Sequence, residues 1–571
     1  MAEPASVSSA CSKLCSTSAV AVTGVLTYWR TVRHLKPVQV YGRLRFRIAR
    51  PHADMAPPPA LRPRAGTWAL PARRRQSLTA PASFRFLNEE HDLAAGWDDP
   101  ALEKLWRYNL HYFDDLNANG AAERAAWHSA LLSRWVRENV PGVGIGWEPY
   151  PTSLRIVNWI KWQLNGNTLS AECVHSLAVQ ARWLTRRLEA HLLGNHLFAN
   201  AKALIFAGSF FEGAEADAWL AIGTRVLQRE IPEQILSDGA QFELSPMYHA
   251  LALEDLLDLV NLASAYRDTA PALARFETAL SAERVGAMRA WLAAMSHPDG
   301  SIGLFNDAAE GIAPTIAELE DYAARLGLPN DATPHGAITE LKASGYIRLE
   351  RPAVVALLDV GRVGPDYLPA HAHADNLSFE LSLFGQRVFV NSGTSRYGTG
   401  AERLRQRGTA AHNTVIVDSR DSSEVWGGFR VGRRAEPIGL RVTPGARIVV
   451  RCAHDGYAHR PARVIHTRIW TLAGDTLSIE DTLSGSFAHA QARYHLHPSV
   501  SARPSAEAPA NAVQLTLPGG QAIDVSVTGG GVRIEPTTWH PEFGMSESAF
   551  CLVVDFAATA VCTRLRWSVP A

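Results

Sequence analysis

From about residue 98 to residue 328, apolar residues recur at intervals of three and four. That spacing lines one face of successive α-helices. It predicts helices over 100–116, 121–138, 152–165, 171–188, 195–212, 217–237, 247–265, 271–296 and 316–326. Turn signals such as Asn119-Gly120, Pro141-Gly142 and Pro298-Asp299-Gly300 part them. After about residue 340 the texture changes to short runs between Gly- and Asp-rich turns. Runs at 353–359, 377–384, 387–390, 413–418, 448–451, 464–472, 476–483, 492–497 and 550–556 read as strands. Helices without strands make an all-α domain. Its paired hairpins close into a ring or stack into a solenoid, and periodicity does not choose between them. Strands without intervening helices read as an antiparallel β-sandwich. The expected division is a lead-in over 1–90, a helical domain over 91–335 and a β domain over 336–571.

The lead-in has its own texture. Residues 26–65 are basic, carrying Arg30, Arg33, His34, Lys36, Arg43, Arg45, Arg47 and Arg50. Residues 32–48 mix apolar and cationic positions and predict one or two short helices. The expectation is a surface segment packed on the main body, ahead of contact with a polyanion or a membrane surface. Prolines 51, 57, 58, 59, 63 and 71 make 51–80 an extended connection. The first 25 residues, rich in Ala, Ser and Val, lack a positive region before Lys13 and make a poor secretory leader.

Composition narrows the classes. A chain of 571 residues is long enough for two to four domains. Fifty-six acidic and 56 basic residues balance, which gives no footprint for nucleic acid. Sixteen tryptophans, ten of them between Trp97 and Trp291, suit sugar faces, although core packing is expected to claim most of them. Six cysteines show no CxxC pair, so no zinc ribbon or redox motif is indicated. No apolar run is long enough for a membrane span.

Candidate chemistry gathers in a few stretches. His371-Ala372-His373-Ala374-Asp375 places two imidazoles on one side of an extended segment, since residues two apart share a face. His412 opens another predicted strand, and Asn391 closes a third ahead of the turn to Tyr397. On the helical side, Asn195 and His196 stand at a helix start, where capping competes with holding a carboxylate in the helix N-terminal field. Ser245-Pro246 begins another helix, with Tyr248 and His249 in its first turn. Neighbouring helical residues diverge by about 100°, so these two point apart unless the cleft wraps the helix end. Asp307, in Gly303-Leu304-Phe305-Asn306-Asp307, reads first as a turn residue. Asn, His and Tyr without an obvious carboxylate pair suit β-elimination from a uronic acid. That reaction needs the C6 carboxylate neutralised, a base at C5 and an acid at O4.

Together Asn195-His196-Leu197, Ser245-Pro246-x-Tyr248-His249, His371-x-His373-Ala374-Asp375, Ser392-Gly393…Tyr397 and His412-Asn413-Thr414 resemble the heparinase II/III family of polysaccharide lyases. Residues 105–113 and 147–155 add to the likeness, which runs over roughly 25–560. The resemblance implies an N-terminal (α/α) toroid followed by a C-terminal antiparallel β-sandwich, with the cleft between them. It implies eliminative cleavage of an anionic, uronate-containing polysaccharide. Asn195 would neutralise the uronate, with His196 beside it. Tyr248 would be base and acid, or acid alone. His371 would be base or assist neutralisation, and His249 and Tyr397 would line the site. His373, Asn391 and His412 would hold a structural zinc, with Asn391 standing where the family prefers Asp and so weakening the site. The substrate class implies a periplasmic location, with the cytoplasm as the alternative that the poor leader suggests. Two other readings stand beside the lyase. One is a non-catalytic glycan-binding or exopolysaccharide-assembly protein on the same fold. The other is a glycoside hydrolase, for which Asp238, Glu243 and Asp307 supply carboxylates.

Overall fold

The structure is a computed structural model and describes residues 24–276, 279–329, 336–459 and 463–568. The leader and its two cysteines, Cys11 and Cys15, lie outside the described residues. Two helices come first, α1 (Val25–Val32) and α2 (Pro37–Ile48). After an extended stretch, strands Leu78–Ala80, Ser83–Phe86 and Glu89–Asp92 form a small antiparallel sheet across the end of the expected lead-in, which the sequence pattern did not show. The helical domain then runs α3 (Lys104–Tyr112), α4 (Ala125–Glu138), α5 (Pro149–Leu164), α6 (Ala171–Arg186), α7 (Gly194–Phe210), α8 (Ala214–Gln234), α9 (Pro246–Tyr266), α10 (Ala282–Ala294) and α11 (Ile316–Arg325).

Two of these differ from the periodic reading. The helix expected over 100–116 ends at Tyr112, because Phe113 turns left-handed at φ 61° before a short 3₁₀ turn. The helix expected over 271–296 divides into a 3₁₀ segment, Pro271–Phe276, and α10, whose start Ser281 caps through its side chain. Of the ten tryptophans in this region only Trp127 escapes full burial, so the indoles build the core rather than a sugar platform.

The β domain has two layers. Strands Ile338–Leu341, Tyr346–Arg351, Val354–Asp359, Phe379–Leu383 and Gln386–Phe389 form a five-stranded antiparallel meander. A bridge from Phe389 to Leu496 carries it into a four-stranded sheet of Val415–Val417, Ala490–His495, Glu547–Phe556 and Gly530–Trp539. An eight-stranded antiparallel sheet faces this layer, and Phe379, Trp470, Tyr494 and Trp567 share the core between them. In the eight-stranded sheet, Ala522–Thr528 alternates buried and exposed residues strictly, as a sheet with one wet face must.

The meander behaves differently. Val354–Asp359 and Phe379–Leu383 are buried at every position. Leu358 faces the sandwich core, while Val355 and Leu357 face Trp291, Ala294 and Met295 beside α10. The meander is therefore a middle layer, and its second face binds the β domain to the helical ring. Truncating Trp291 to Ala would cost about 3–5 kcal/mol at this seam. Polar contacts reinforce it: His297 Nε2 lies 2.7 Å from Glu380 Oε2, and Arg387 Nε donates to Asp299 Oδ2 at 2.7 Å. A short helix, α12 (Ala401–Arg407), sits in the loops above.

Candidate active site

The site assembles where loops of the two halves meet. Asp307, from the helical half, is fully buried and docks on the histidine stretch of the β half. The Asp307 N–H donates to the carbonyl of His371 at 3.0 Å, and the His373 N–H donates to Asn306 Oδ1 at 3.0 Å. His371 Nδ1 lies 2.9 Å from Asp307 Oδ2, and His373 Nε2 lies 2.8 Å from Oδ1. Arg403, from α12, closes a two-pronged pair on the same carboxylate, with Nη2 2.6 Å from Oδ2. Burial alone would raise the Asp307 pKa. The Arg403 charge and the hydrogen bonds from His371, His373 and Arg403 outweigh it and hold the carboxyl well below its usual range. Asp307 is thus a fixed anion that keeps the proton on His371 Nδ1 and leaves Nε2 for chemistry. His371 Nε2 faces Glu243 Oε2 at 3.5 Å, a buried oxygen that has no hydrogen-bond partner among the described residues.

The Tyr248 ring packs on His371, with centroids 3.9 Å apart. Its hydroxyl lies 2.8 Å from that of Tyr397, so the two phenols share a hydrogen bond. Burial first, then Tyr397 and Asp307, push the Tyr248 pKa well above its ordinary value. It stays a neutral phenol, a proton donor rather than a phenolate. Tyr248 and Tyr397 close one end of a cavity of about 410 Å³, whose wall includes Tyr112 and Tyr150 from the helices, Arg75 and Asn88 from the lead-in and Phe543 from the β half. Tyr150 carries this wall to His196, with ring centroids 4.5 Å apart. His196 Nδ1 lies 3.2 Å from Glu189 Oε2. Burial opposes its charge, but Glu189 wins and raises the pKa. Asn195, half-buried at the start of α7, has no side-chain hydrogen bond among the described residues.

Backbone strain recurs at these segments. Leu193, Leu244 and Asn306 hold φ values of 63°, 61° and 57°, each just ahead of Asn195, Ser245 and Asp307. A left-handed non-glycine residue costs about 1–2 kcal/mol, and such strain gathers at functional sites. Gly393 has φ 74°, and a Cβ there would stand 2.0 Å from the His540 carbonyl, so the turn between Asn391 and Tyr397 requires glycine.

The structure does not bring every expected residue to the cleft. His249 turns the other way from Tyr248. Its Nδ1 accepts the Gln241 N–H at 3.1 Å, its Nε2 donates to the Met288 carbonyl at 2.9 Å, and its ring packs 4.3 Å from Trp291. Burial pushes its pKa down to about 4, so it is a neutral core histidine and not a lining residue. Arg403 and Tyr150 are absent from the candidate residues of the sequence, and Asp307 and Glu243 enter there only as carboxylates for hydrolysis. Asp307 otherwise reads as a turn residue, and Arg403 and Tyr150 carry no local signal of a site role, because the residues they meet lie far along the chain.

The expected zinc seat fails a test of its donors. His373 Nδ1 lies 3.3 Å from His412 Nε2, but Asn391 Oδ1 lies 3.2 Å from His412 Nδ1, on the opposite edge of that ring. The three side chains form a chain and do not converge on one point. Asp307, the nearby carboxylate, is already held by Arg403. Among the described residues no group of three His, Cys, Asp or Glu is arranged to hold a metal. Burial takes the His373 pKa down to about 4 and, with the His373 charge, pushes His412 well below the ordinary value. Two neutral imidazoles suit an N–H···N bond. Turning the Asn391 amide over would also give its buried, unpartnered Nδ2 an acceptor at His412 Nδ1.

Two of the three carboxylates offered for hydrolysis are engaged, while Glu243 keeps Oε2 without a hydrogen-bond partner beside His371 Nε2. Asp238 Oδ2 accepts from the Ser344 N–H and hydroxyl at 2.8 and 2.9 Å, and Asp307 is locked by Arg403.

A helical ring seamed to a β-sandwich, with a Tyr–His–Asp constellation at the seam, defines a two-domain protein of the toroid-plus-sandwich class. Sequence comparison agrees. "Heparinase II/III N-terminus" matches residues 123–326 and "Heparinase II/III-like, C-terminal" matches 333–568. The chain belongs to the heparinase II/III family. It is 29% identical over 251 residues to a heparin-sulfate lyase of Bacteroides stercoris, covering 40% of this chain and 36% of that protein. It is 26% identical over 325 residues to the heparin-sulfate lyase of Pedobacter heparinus, covering 51% and 47%. The chain spans less than half the length of these relatives. Among solved structures, heparinase III superposes with a TM-score of 0.63 at 18% identity, covering 82% of this chain and 77% of that one. A mutant of the heparan sulfate lyase HepC from Pedobacter heparinus gives 0.59 at 18% identity, covering 94% and 88%. These likenesses show a shared fold.

Proposed function

We propose that the protein is a polysaccharide lyase that cleaves a uronate-containing anionic glycan by β-elimination. The observation that carries this reading is the stack of Tyr248 on His371, with Asp307 behind the imidazole and Tyr397 behind the phenol. Asn195 and the N-terminal amides of α7 take the uronate carboxylate and withdraw charge from C5. His371 Nε2 accepts the C5 proton, and Asp307 stabilises the imidazolium that forms. The electron pair left at C5 makes the C4–C5 double bond as the C4–O4 bond breaks. Tyr248 gives its proton to O4 and regains one through Tyr397. The elevated Tyr248 pKa supports the acid role over the base role, which a phenolate would need. Glu189 raises the His196 pKa and so favours the imidazolium that would meet the incoming carboxylate. The likeness to heparin-sulfate lyases supports a lyase, and the substrate class supports a periplasmic setting.

The test is absorbance. Incubated with a panel of uronate polysaccharides, the protein should produce ultraviolet absorbance from the new double bond on at least one of them. Tyr248→Phe should abolish it while leaving the thermal unfolding midpoint near that of the wild type, and His371→Ala should abolish it with a lowered midpoint, because Asp307 loses a buried hydrogen-bond partner. Full activity in either variant contradicts the assignment of that residue.

A further inference from the structure

We propose that the outward face of α1 and α2 docks this protein on an anionic lipid surface. The inference does not rest on the lyase reading. Ten of the nineteen large apolar side chains exposed among the described residues fall between Val25 and Met55. They include Val25 at 85% exposure, Trp29 at 58% and Ile48 at 70%, with Leu26, Val32, Val40, Tyr41 and Leu44 between. In α2, Val40, Leu44 and Ile48 follow at intervals of four, so they form one row along the helix. Arg43 and Arg47 run beside that row at the same interval, and Arg45 and Arg50 are also exposed.

Charge separates this arm from the rest of the chain. The whole protein is neutral, yet no Asp or Glu occurs from residue 24 to residue 53. Arg43, Arg45, Arg47 and Arg50 have no ion pair among the described residues. The two cations of the arm that are paired face inward instead: Arg30 bonds Glu424 at 2.7 Å, and Lys36 pairs with Glu233. The inward faces are well anchored. Tyr28 packs on Trp426 at 4.8 Å, and Thr31 Oγ1 accepts from Trp426 Nε1 at 3.1 Å. The Gln39 amide donates to the Tyr367 carbonyl at 3.1 Å, and Phe46 lies 3.5 Å from the Arg187 guanidinium. The arm is therefore a fixed part of the body that spans both halves, and its apolar face is left over after that packing.

A polyanion alone explains the arginines but leaves Val25, Leu26, Trp29, Leu44 and Ile48 in water. A lipid surface takes both. Apolar and aromatic side chains enter the headgroup boundary while arginines meet anionic headgroups, the pattern of an interfacial helix. No helix among the described residues is long and apolar enough to cross a membrane, so the contact is peripheral. It sits close to the site in the chain, because Phe46 also packs on His191, 4.4 Å away, in the turn that leads into α7 and Asn195.

The test is flotation of the whole chain with vesicles of phosphatidylcholine alone or with phosphatidylglycerol added. The protein should float with the phosphatidylglycerol vesicles and not with the neutral ones, and about 0.5 M salt should weaken that binding. Arg43→Gln/Arg45→Gln/Arg47→Gln should lower partitioning roughly a hundredfold, at about one headgroup attraction per arginine. Leu44→Glu/Ile48→Glu, at positions that are mostly exposed, should lower it at least about tenfold, with unchanged unfolding. Wild type that stays with the soluble fraction overturns the proposal. So does heparin binding that the arginine variant loses while the Leu44/Ile48 variant leaves vesicle binding intact, which would mark a polyanion surface. A dimer that Leu44→Glu/Ile48→Glu splits, with no vesicle binding, would assign the face to a second copy of the chain and also overturn it.

Discussion

The protein contains two buried networks with the same parts list. At the seam, Asp307 holds Arg403, His371 and His373, and His373 meets His412. In the eight-stranded sheet, Asp481 holds Arg468 at 2.7 Å and His466 at 2.7 Å, and His466 Nδ1 lies 3.1 Å from His454 Nε2. Both aspartates are held below the usual carboxylate range, Asp481 to about 2, because arginine and histidine outweigh burial in each case. They differ in access. The second network has no exposed member, and Arg468 spends its remaining donors on the carbonyls of Leu377 and Asn413, at 2.8 and 2.6 Å. The first has one member too many for a structural knot: His371 keeps one nitrogen on Asp307 and lies under Tyr248. A buried Asp–Arg–His cluster is therefore not a site by composition. What sets the seam cluster apart is that His371 packs on Tyr248, which lines the cavity. The sealed network in turn braces the strands that carry the open one, since Leu377 and Asn413 follow the 371–376 and 412 segments.

The largest expected contrast is in rate. Tyr248→Phe should lower kcat by about a thousandfold, the scale of a lost general acid, with no change in unfolding. No substitution in the sealed network should approach that. Asp307→Asn comes next. It should lower kcat by about a hundredfold, the lower end of what a positioned acid–base group contributes, through the wrong His371 tautomer, and destabilise by about 3 kcal/mol because Arg403 is left buried without its partner. Asp481→Asn sharpens the comparison. It should destabilise by a similar amount, about 3 kcal/mol, while activity per folded molecule stays within about twofold. A large rate loss there would break the distinction between the two networks.

Part of this was legible in the chain. The change of apolar period near residue 340 announced the two halves, because helix and strand faces follow from local geometry. Tyr248 and the His371 stretch were legible as candidates, and the structure packs their rings together. The divergence of adjacent helical residues foretold that Tyr248 and His249 would part, although His249 was still expected at the site. Asp307 was legible as a turn residue or a carboxylate for hydrolysis, but not as the anchor of His371, His373 and Arg403. Its partners lie 64 and 96 residues away, and nothing local distinguishes it from a turn residue. The sealed network was closer to hand, since Arg468 pairs directly with Asp481, and His454 with His466, across neighbouring strands. The break at Phe113 and the split before α10 escaped the periodic pattern because a single left-handed residue or a side-chain cap leaves that pattern intact.

Smaller effects refine the account. Each aspartate's folded pKa lies below its unfolded value of about 3.9. Its contribution is therefore present above that value and fades as pH falls through the folded one. The loss of unfolding free energy between about pH 5 and about pH 2 should accordingly be smaller in Asp307→Asn and in Asp481→Asn than in wild type. The smallest effect concerns metal. Because His373, His412 and Asn391 do not converge, exhaustive chelation should leave the unfolding midpoint and the rate unchanged, as checked by metal analysis before and after.

The most direct measurement is the mass of the cleaved fragments. With a defined uronate oligosaccharide, elimination divides the chain without taking up water, so the fragment masses sum to the parent and one fragment carries the double bond. That is the predicted result, and it should vanish in Tyr248→Phe. Fragments that sum to the parent plus one water would mean hydrolysis and would contradict the proposed roles of Tyr248 and His371.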